Sequence, residues 1–239
     1  MSAPPRFTVG LDLGQAQDPT ALCVLEQIEP QTAEAVRLQE PTYHCRHLER
    51  YKLGTEYAEI ARKVQALIAE PAMQTVVDRD EWHSIGPGGG RIRRFTDEPS
   101  YVRKPPTLVV DATGVGRAVL ELLRQRGLKP VAITITGGDE VTYADTIRVP
   151  KRELVGSLQV ALQTGRLKIA KELSLRPVLV EELRNFRVKV NPLTAHDSWN
   201  AREGQHDDIV LAVAVALWHA EREARRSRQN AGSWPVIQY

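Results

Sequence analysis

The chain has 239 residues, long enough to bury a full core, and its composition is ordinary for a globular protein, with 42% hydrophobic and 26% charged residues. No apolar run approaches the roughly 18 residues of a membrane span and the start, Met1 to Arg6, has no signal-peptide core, so a cytosolic protein without a membrane partner is expected. A net charge of +2 says little about partners, while Cys23 and Cys45 lack Cys-x-x-Cys spacing, which argues against a disulfide framework and a zinc site.

Phe7 to Leu13 and Thr20 to Ile28 read as strands joined by the turn-like Gly14-Gln-Ala-Gln-Asp-Pro19, and a strand over Tyr43 to Leu48 completes an antiparallel meander. Leu53 to Glu70 places apolar residues at Tyr57, Ile60, Ala61, Val64, Leu67 and Ile68, the period of an amphipathic helix, and Pro71 ends it. Gln74 to Val77 is a short candidate strand. From Arg79 to Pro106 periodicity disappears, and Gly86-Pro-Gly-Gly-Gly90 with the arginines after it reads as an inserted loop or hairpin.

Thr107 to Asp111 is a continuous apolar strand, Gly116 to Arg126 a helix and Val131 to Ile135 a strand, together a right-handed βαβ unit. Pro150 opens a helix to about Thr164, and Pro177 to Phe186 forms another. The last helix, Asp207 to Arg225, is nearly all apolar through Trp218, so it must lie against the sheet. The expected organisation is one domain over residues 1–226 with an insertion near 79–106, followed by a loose tail over 227–239.

Three acidic motifs punctuate this pattern: Gly10-Leu-Asp-Leu-Gly14, Asp111-Ala-Thr-Gly-Val-Gly116 and His206-Asp-Asp208. The first two end apolar strands and the third opens an apolar helix, so a fold that gathered them would crowd several carboxylates at one point. Such a cluster must bind protons or recruit cations. Oxygen-only donors suit a hard ion, Mg²⁺ or Mn²⁺, and the chemistry this favours is metal-assisted phosphodiester hydrolysis.

Each motif also has a structural reading. Asp12 could end its strand by bonding turn amides toward Asp18, although a buried charge costs several kcal/mol unless paired, and the flanking glycines would leave room for metal or phosphate. Asp111 could be an Asx turn and cap, and either Asp207 or Asp208 could serve the helix dipole alone. His206 either assists a carboxylate or is an ordinary loop histidine. Lys151 reads as a solvated lysine rather than a phosphate contact. Arg91, Arg93 and Arg94, with Arg103 and Lys104, either bind a DNA backbone or form a solvated face, and Arg222, Arg225, Arg226 and Arg228 read as surface charge.

The element order, a meander, a helix, alternating strand and helix, and a closing acid-tipped helix, is that of the ribonuclease H-like fold, an α/β architecture with a central mixed sheet of about five strands flanked by helices. With Asp18-Pro-Thr-Ala21 behind the first motif and Gly204-Gln-His-Asp-Asp-Ile-Val210 at the third, the chain resembles the nuclease domain of the large terminase subunit of tailed bacteriophages, a RuvC-like member of that superfamily. The resemblance runs from Phe7 to about Trp218. It implies a two-metal endonuclease that uses Mg²⁺ or Mn²⁺ on double-stranded DNA, with Asp12, Asp111 and Asp208 catalytic, Asp207 a further metal ligand, and Asp18 and His206 supporting. It also implies action in a bacterial host cell, phage or prophage origin, and a separate terminase ATPase or portal component as partner. The sequence has no Walker loop ending in Gly-Lys-Ser or Gly-Lys-Thr, so cleavage is expected not to need ATP.

Three rivals remain. An actin-like or sugar-kinase-like ATP-binding protein uses similar Gly-x-Asp-x-Gly turns, but it duplicates the fold in two lobes, which 239 residues hardly permit. A RuvC-like junction resolvase shares the metal chemistry. A non-catalytic DNA-binding or assembly module would not need acids at all three motifs.

Overall fold

A computed structural model of the chain describes residues 5–14, 18–30, 40–78, 83–84, 91–92, 101–185, 187–190, 197–200 and 207–232. Its centre is a meander of β1 (Arg6–Asp12), β2 (Ala21–Ile28) and β3 (Thr42–Arg50). Helix α1 (Tyr57–Ala69) follows and stops before Pro71, as expected from the extended backbone that a residue preceding proline prefers; Glu70 has ψ 132°. Strand β4 (Thr75–Asp78) leads into the insertion, with β5 (His83–Ser84), β6 (Arg91–Ile92) and β7 (Tyr101–Lys104). Here β4 pairs antiparallel with β7 and β5 with β6, so the described parts of the insertion form nested hairpin ladders.

The chain then builds β8 (Thr107–Asp111), α2 (Gly116–Gln125) and β9 (Val131–Thr136); β8 pairs parallel with β1 and β9 parallel with β8, as the βαβ pattern requires. Next come β10 (Thr142–Tyr143), β11 (Ile147–Pro150), α3 (Lys151–Gln163), β12 (Leu167–Ile169) and α4 (Arg176–Asn185). A hairpin of β13 (Arg187–Val190) and β14 (Asp197–Asn200) precedes α5 (Asp208–Gly232).

The main sheet has eight strands in the order β10-β11-β9-β8-β1-β2-β3-β12. Its five central strands, β3-β2-β1-β8-β9, are those the sequence pattern predicts, with β1 beside β8. The extra three, β10 and β11 on one side and β12 on the other, have two to four residues each, too short to display a period. Helix α5 runs to Gly232, so residues 227–232 continue the helix instead of starting a loose tail; Arg, Gln and Ala are good helix formers. Residues 233–239 lie outside the described set.

Strands β1, β2 and β8 are buried on both faces over most of their length, and side chains of the central strands alternate between two cores. Ala21, Cys23, Leu25, Val109 and Ile133 pack with α3, α4 and α5, whereas Val9, Leu11, Leu22, Val24, Leu108 and Val110 pack with α1 and α2. Residues Ile209 to Trp218 of α5 are all buried, which answers the unbroken apolar run of that segment. Small side chains bring α5 unusually close to β1. A Cβ added at Gly10 would lie 2.0 Å from the Ala212 carbonyl oxygen and 2.9 Å from Ala216 Cβ, and the Cys23 thiol donates to that same carbonyl at 3.2 Å. Gly10 therefore makes room for the helix, and the sequence-based reading that it opens space for a ligand is corrected. Both cysteines are free and buried. Among the described residues no helix is long and apolar enough to cross a membrane.

Candidate metal centre

The parallel pairing of β1 with β8 sets Asp12 directly opposite Asp111. Both end their strands, at the carboxyl edge of the sheet where open α/β folds place their ligand crevices. The close seating of α5 on Gly10 then brings its first turn, with Asp207 and Asp208, to the same edge. Asp12, Asp207 and Asp208 line one cleft of about 150 Å³, together with Gly14, Asp18 and Thr113. Asp12, Asp18, Asp111, Asp207 and Asp208 are thus all drawn to one place in the fold.

The electrostatics follow from that crowding. Burial, first, and then the charges of Asp111, Asp207 and Asp208 push the Asp12 carboxyl well above the usual aspartate range, against a smaller pull from Lys151. Burial also raises Asp111, opposed by hydrogen bonds from Thr113 and by the Lys151 charge, while Asp207 adds to the rise. Thr113 donates to Asp111 Oδ1 from both its hydroxyl, at 2.5 Å, and its backbone N–H, at 2.8 Å, an Asx turn that fixes the carboxylate at the strand end. The same hydroxyl accepts the Ile135 N–H at 2.8 Å, which ties the turn to the next strand.

Two cations enter the cluster. Lys151, the first residue of α3, brings Nζ to 3.2 Å from Asp207 Oδ2 and is only 17% exposed, so the reading of a solvated lysine is overturned. Arg50, the last residue of β3, grips Asp208 with a fork, Nε to Oδ2 at 2.7 Å and Nη2 to Oδ1 at 2.9 Å, and Nη2 also meets Glu182 Oε1. Glu182, on α4, accepts the Val210 N–H at 3.0 Å, and burial, followed by the Asp208 charge, raises its carboxyl to about 7.

Asp18 sits on the rim, where the loop after β1 folds back. A Cβ at Gly14 would lie 1.9 Å from the Asp18 carbonyl oxygen, and Gly14 is bonded on both sides, its N–H to Thr20 Oγ1 at 3.1 Å and its carbonyl by Tyr57 Oη at 2.7 Å. Gly14, like Gly10, answers to the protein rather than to a ligand. His206, Arg93 and Arg94 lie outside the described residues, and of Arg91 only the backbone, in β6, is described.

Arg50 and Glu182 were not singled out by the sequence. Thr113 could have been, because a threonine two residues after an aspartate at a strand end is a recognisable turn.

Among the described residues no three carboxylate, imidazole or thiol groups already stand in a metal-binding arrangement. The donor set nevertheless fits a hard cation. Asp12, Asp111, Asp207, Asp208 and Glu182 converge, Lys151 and Arg50 are cations paired with them among the described residues, and each of these carboxylates offers oxygen donors.

No protein-family model matches the chain, and no curated protein matches it by sequence. Solved structures do match in shape. The large terminase nuclease from thermophilic phage G20c is 18% identical with a TM-score of 0.54, over 90% of this chain and 83% of that one. The large terminase of bacteriophage HK97 is 11% identical with a TM-score of 0.50, over 92% of this chain and 40% of that one. The chain therefore has the ribonuclease H-like fold seen in large-terminase nucleases.

Proposed function

We propose that this chain is a divalent-metal-dependent endonuclease that hydrolyses phosphodiester bonds of double-stranded DNA, similar to the nuclease that cuts phage DNA during packaging. The observation that carries the reading is that Asp12, in register with Asp111, shares one small cleft with Asp207 and Asp208. The shared fold with large-terminase nucleases supports it.

Asp12 and Asp111 would hold Mg²⁺ or Mn²⁺, two ions in all, with Asp207 and Asp208, and Asp12, Asp111 and Asp208 would be the catalytic acids. When bound, such ions activate water on one side of a phosphodiester and stabilise the leaving oxygen on the other. The chain supplies rigidity: two strand ends and a helix start hold the acids so that little ordering is needed when a phosphate arrives. Asp18 supports the rim, and His206, adjacent to Asp207, orients a carboxylate or passes a proton. Arg91, Arg93 and Arg94 contact the DNA backbone, a role that adds affinity and salt dependence but little sequence information. The partners on this reading are duplex DNA and a separate terminase ATPase or portal component, and the setting is the cytoplasm of a bacterial host.

The test is incubation of the chain with supercoiled plasmid in Mg²⁺, Mn²⁺ or EDTA, with and without ATP, beside Asp12→Asn. Cleavage that requires metal and Asp12 but not ATP is expected. Strict ATP dependence, or equal cleavage by the variant, would overturn the reading.

A further inference from the structure

Sheet register places a second row of chemistry beside the acids. Asp111 opposes Asp12, Asp12 opposes Ala21, and Ala21 opposes Arg50, so four neighbouring strands end in one line. Two strand spacings, about 10 Å, separate the backbones of Asp12 and Arg50. The Arg50 guanidinium, on its long stem, reaches Asp208 at the start of α5.

The bond it makes is specific in direction. The planar fork takes one lone pair on each Asp208 oxygen, at 2.7 and 2.9 Å, and fixes the plane of the carboxylate; a carboxylate oxygen has a second lone pair with which to meet a metal. Arg50 is fixed in turn by Glu182, whose other oxygen accepts the Val210 N–H in the first turn of α5. Asp208 and Glu182 are 4% and 7% exposed, so neither carboxylate can rely on solvent to set its orientation. We propose that Arg50 and Glu182 are positioning residues for the metal centre: the chain Asp208–Arg50–Glu182, anchored on β3 and α4, fixes both the Asp208 carboxylate and the start of α5 relative to Asp12 and Asp111.

This inference rests on the proposed metal-dependent nuclease. It assigns α4, an element outside the central strands, a part in the geometry of the site. Partners of this kind, when removed, typically lower metal affinity or activity about 10–100-fold. Arginine and lysine also separate here, because lysine keeps the charge and loses the fork.

The experiment compares wild type, Arg50→Lys, Arg50→Ala and Glu182→Gln. Mn²⁺ binding is titrated by the electron paramagnetic resonance signal of the free ion, plasmid cleavage is measured across the same Mn²⁺ range, and melting is recorded in EDTA. Arg50→Lys is expected to raise the half-saturating Mn²⁺ about tenfold or more in both binding and cleavage. Glu182→Gln, which still accepts from Val210, is expected to raise it by a smaller factor. If Arg50→Ala fails to fold, the two conservative variants decide the matter. Folded Arg50→Lys and Glu182→Gln with wild-type half-saturation would overturn the inference alone. A wild-type chain that neither binds Mn²⁺ nor cuts DNA would overturn the functional reading, and this inference with it.

Discussion

Helix α5 carries one buried charge cluster at its start and another near its middle, and the two are built differently. Near the middle, Glu221 is 4% exposed and is held by Arg166 at 2.6 Å and by Arg225 at 3.3 Å, a carboxylate matched by cations. At its start, Asp207 and Asp208 join Asp12, Asp111 and Glu182, and among the described residues Arg50 and Lys151 pair with this group of five carboxylates. A pair that serves the fold is balanced, since a buried uncompensated charge is costly. A cluster whose aspartates are raised by burial and by one another's charge is stabilised by protons or by a cation. It is the difference between the two clusters that points to function.

The comparison breaks most visibly at Asp12. Asp12→Asn is expected to abolish metal-dependent cleavage and, in EDTA, to stabilise the fold by about 1–2 kcal/mol, because it removes a crowded charge. A plasmid assay and a thermal melt read the two effects, and a destabilised variant would contradict the account of crowded carboxylates. Near the middle of α5, Glu221→Ala leaves Arg166 without its buried partner and should cost about 3–5 kcal/mol by denaturant unfolding. Its Mn²⁺ half-saturation should stay at the wild-type value; a large shift there would mean that the two clusters are not separate.

Gly10→Ala tests the seat of α5. The added methyl meets the Ala212 backbone, so a loss of about 1–3 kcal/mol is expected, together with weaker metal binding as the start of the helix is pushed from Asp12. A stable variant with unchanged metal binding would show that the close approach does not set the site.

The smallest effect is in pH. Asp12 and Asp111 have folded-state carboxyls raised above the ordinary 3.8, so between that value and their folded values the native chain binds more protons than the unfolded one. Stability without metal should therefore fall as pH rises through that window, by up to about 1.4 kcal/mol per pH unit for each proton. Divalent metal should remove most of the fall. Melting curves in EDTA and in Mg²⁺ across pH check both signs.

The fold's centre was legible because its signals are long. The continuous apolar run at Thr107 to Asp111 and the unbroken one after Asp208 fixed a buried strand and a buried helix, and with the meander they implied β1 beside β8. The acids of the cleft could be named because they interrupt those runs. Arg50 was illegible for a reason of register. A bulge at Val24 and Leu25 shifts the pairing of β2 with β3; counted straight from Ile28 opposite Thr42, Ala21 would face Glu49, and Arg50 would fall on the other side of the sheet. Glu182 is one glutamate of two on α4, Glu181 and Glu182, and only packing distinguishes them. Lys151 follows a proline at a helix start, where exposure is the ordinary outcome, and β11 instead delivers it to Asp207.

The most direct measurement is a crystal soaked in Mn²⁺ and examined by anomalous scattering. The account predicts manganese between Asp12 and Asp111, with Asp207 or Asp208 completing its oxygen ligands and Arg50 still joined to Asp208. Manganese bound elsewhere on a chain that cuts DNA, with the four aspartates uncoordinated, would contradict it.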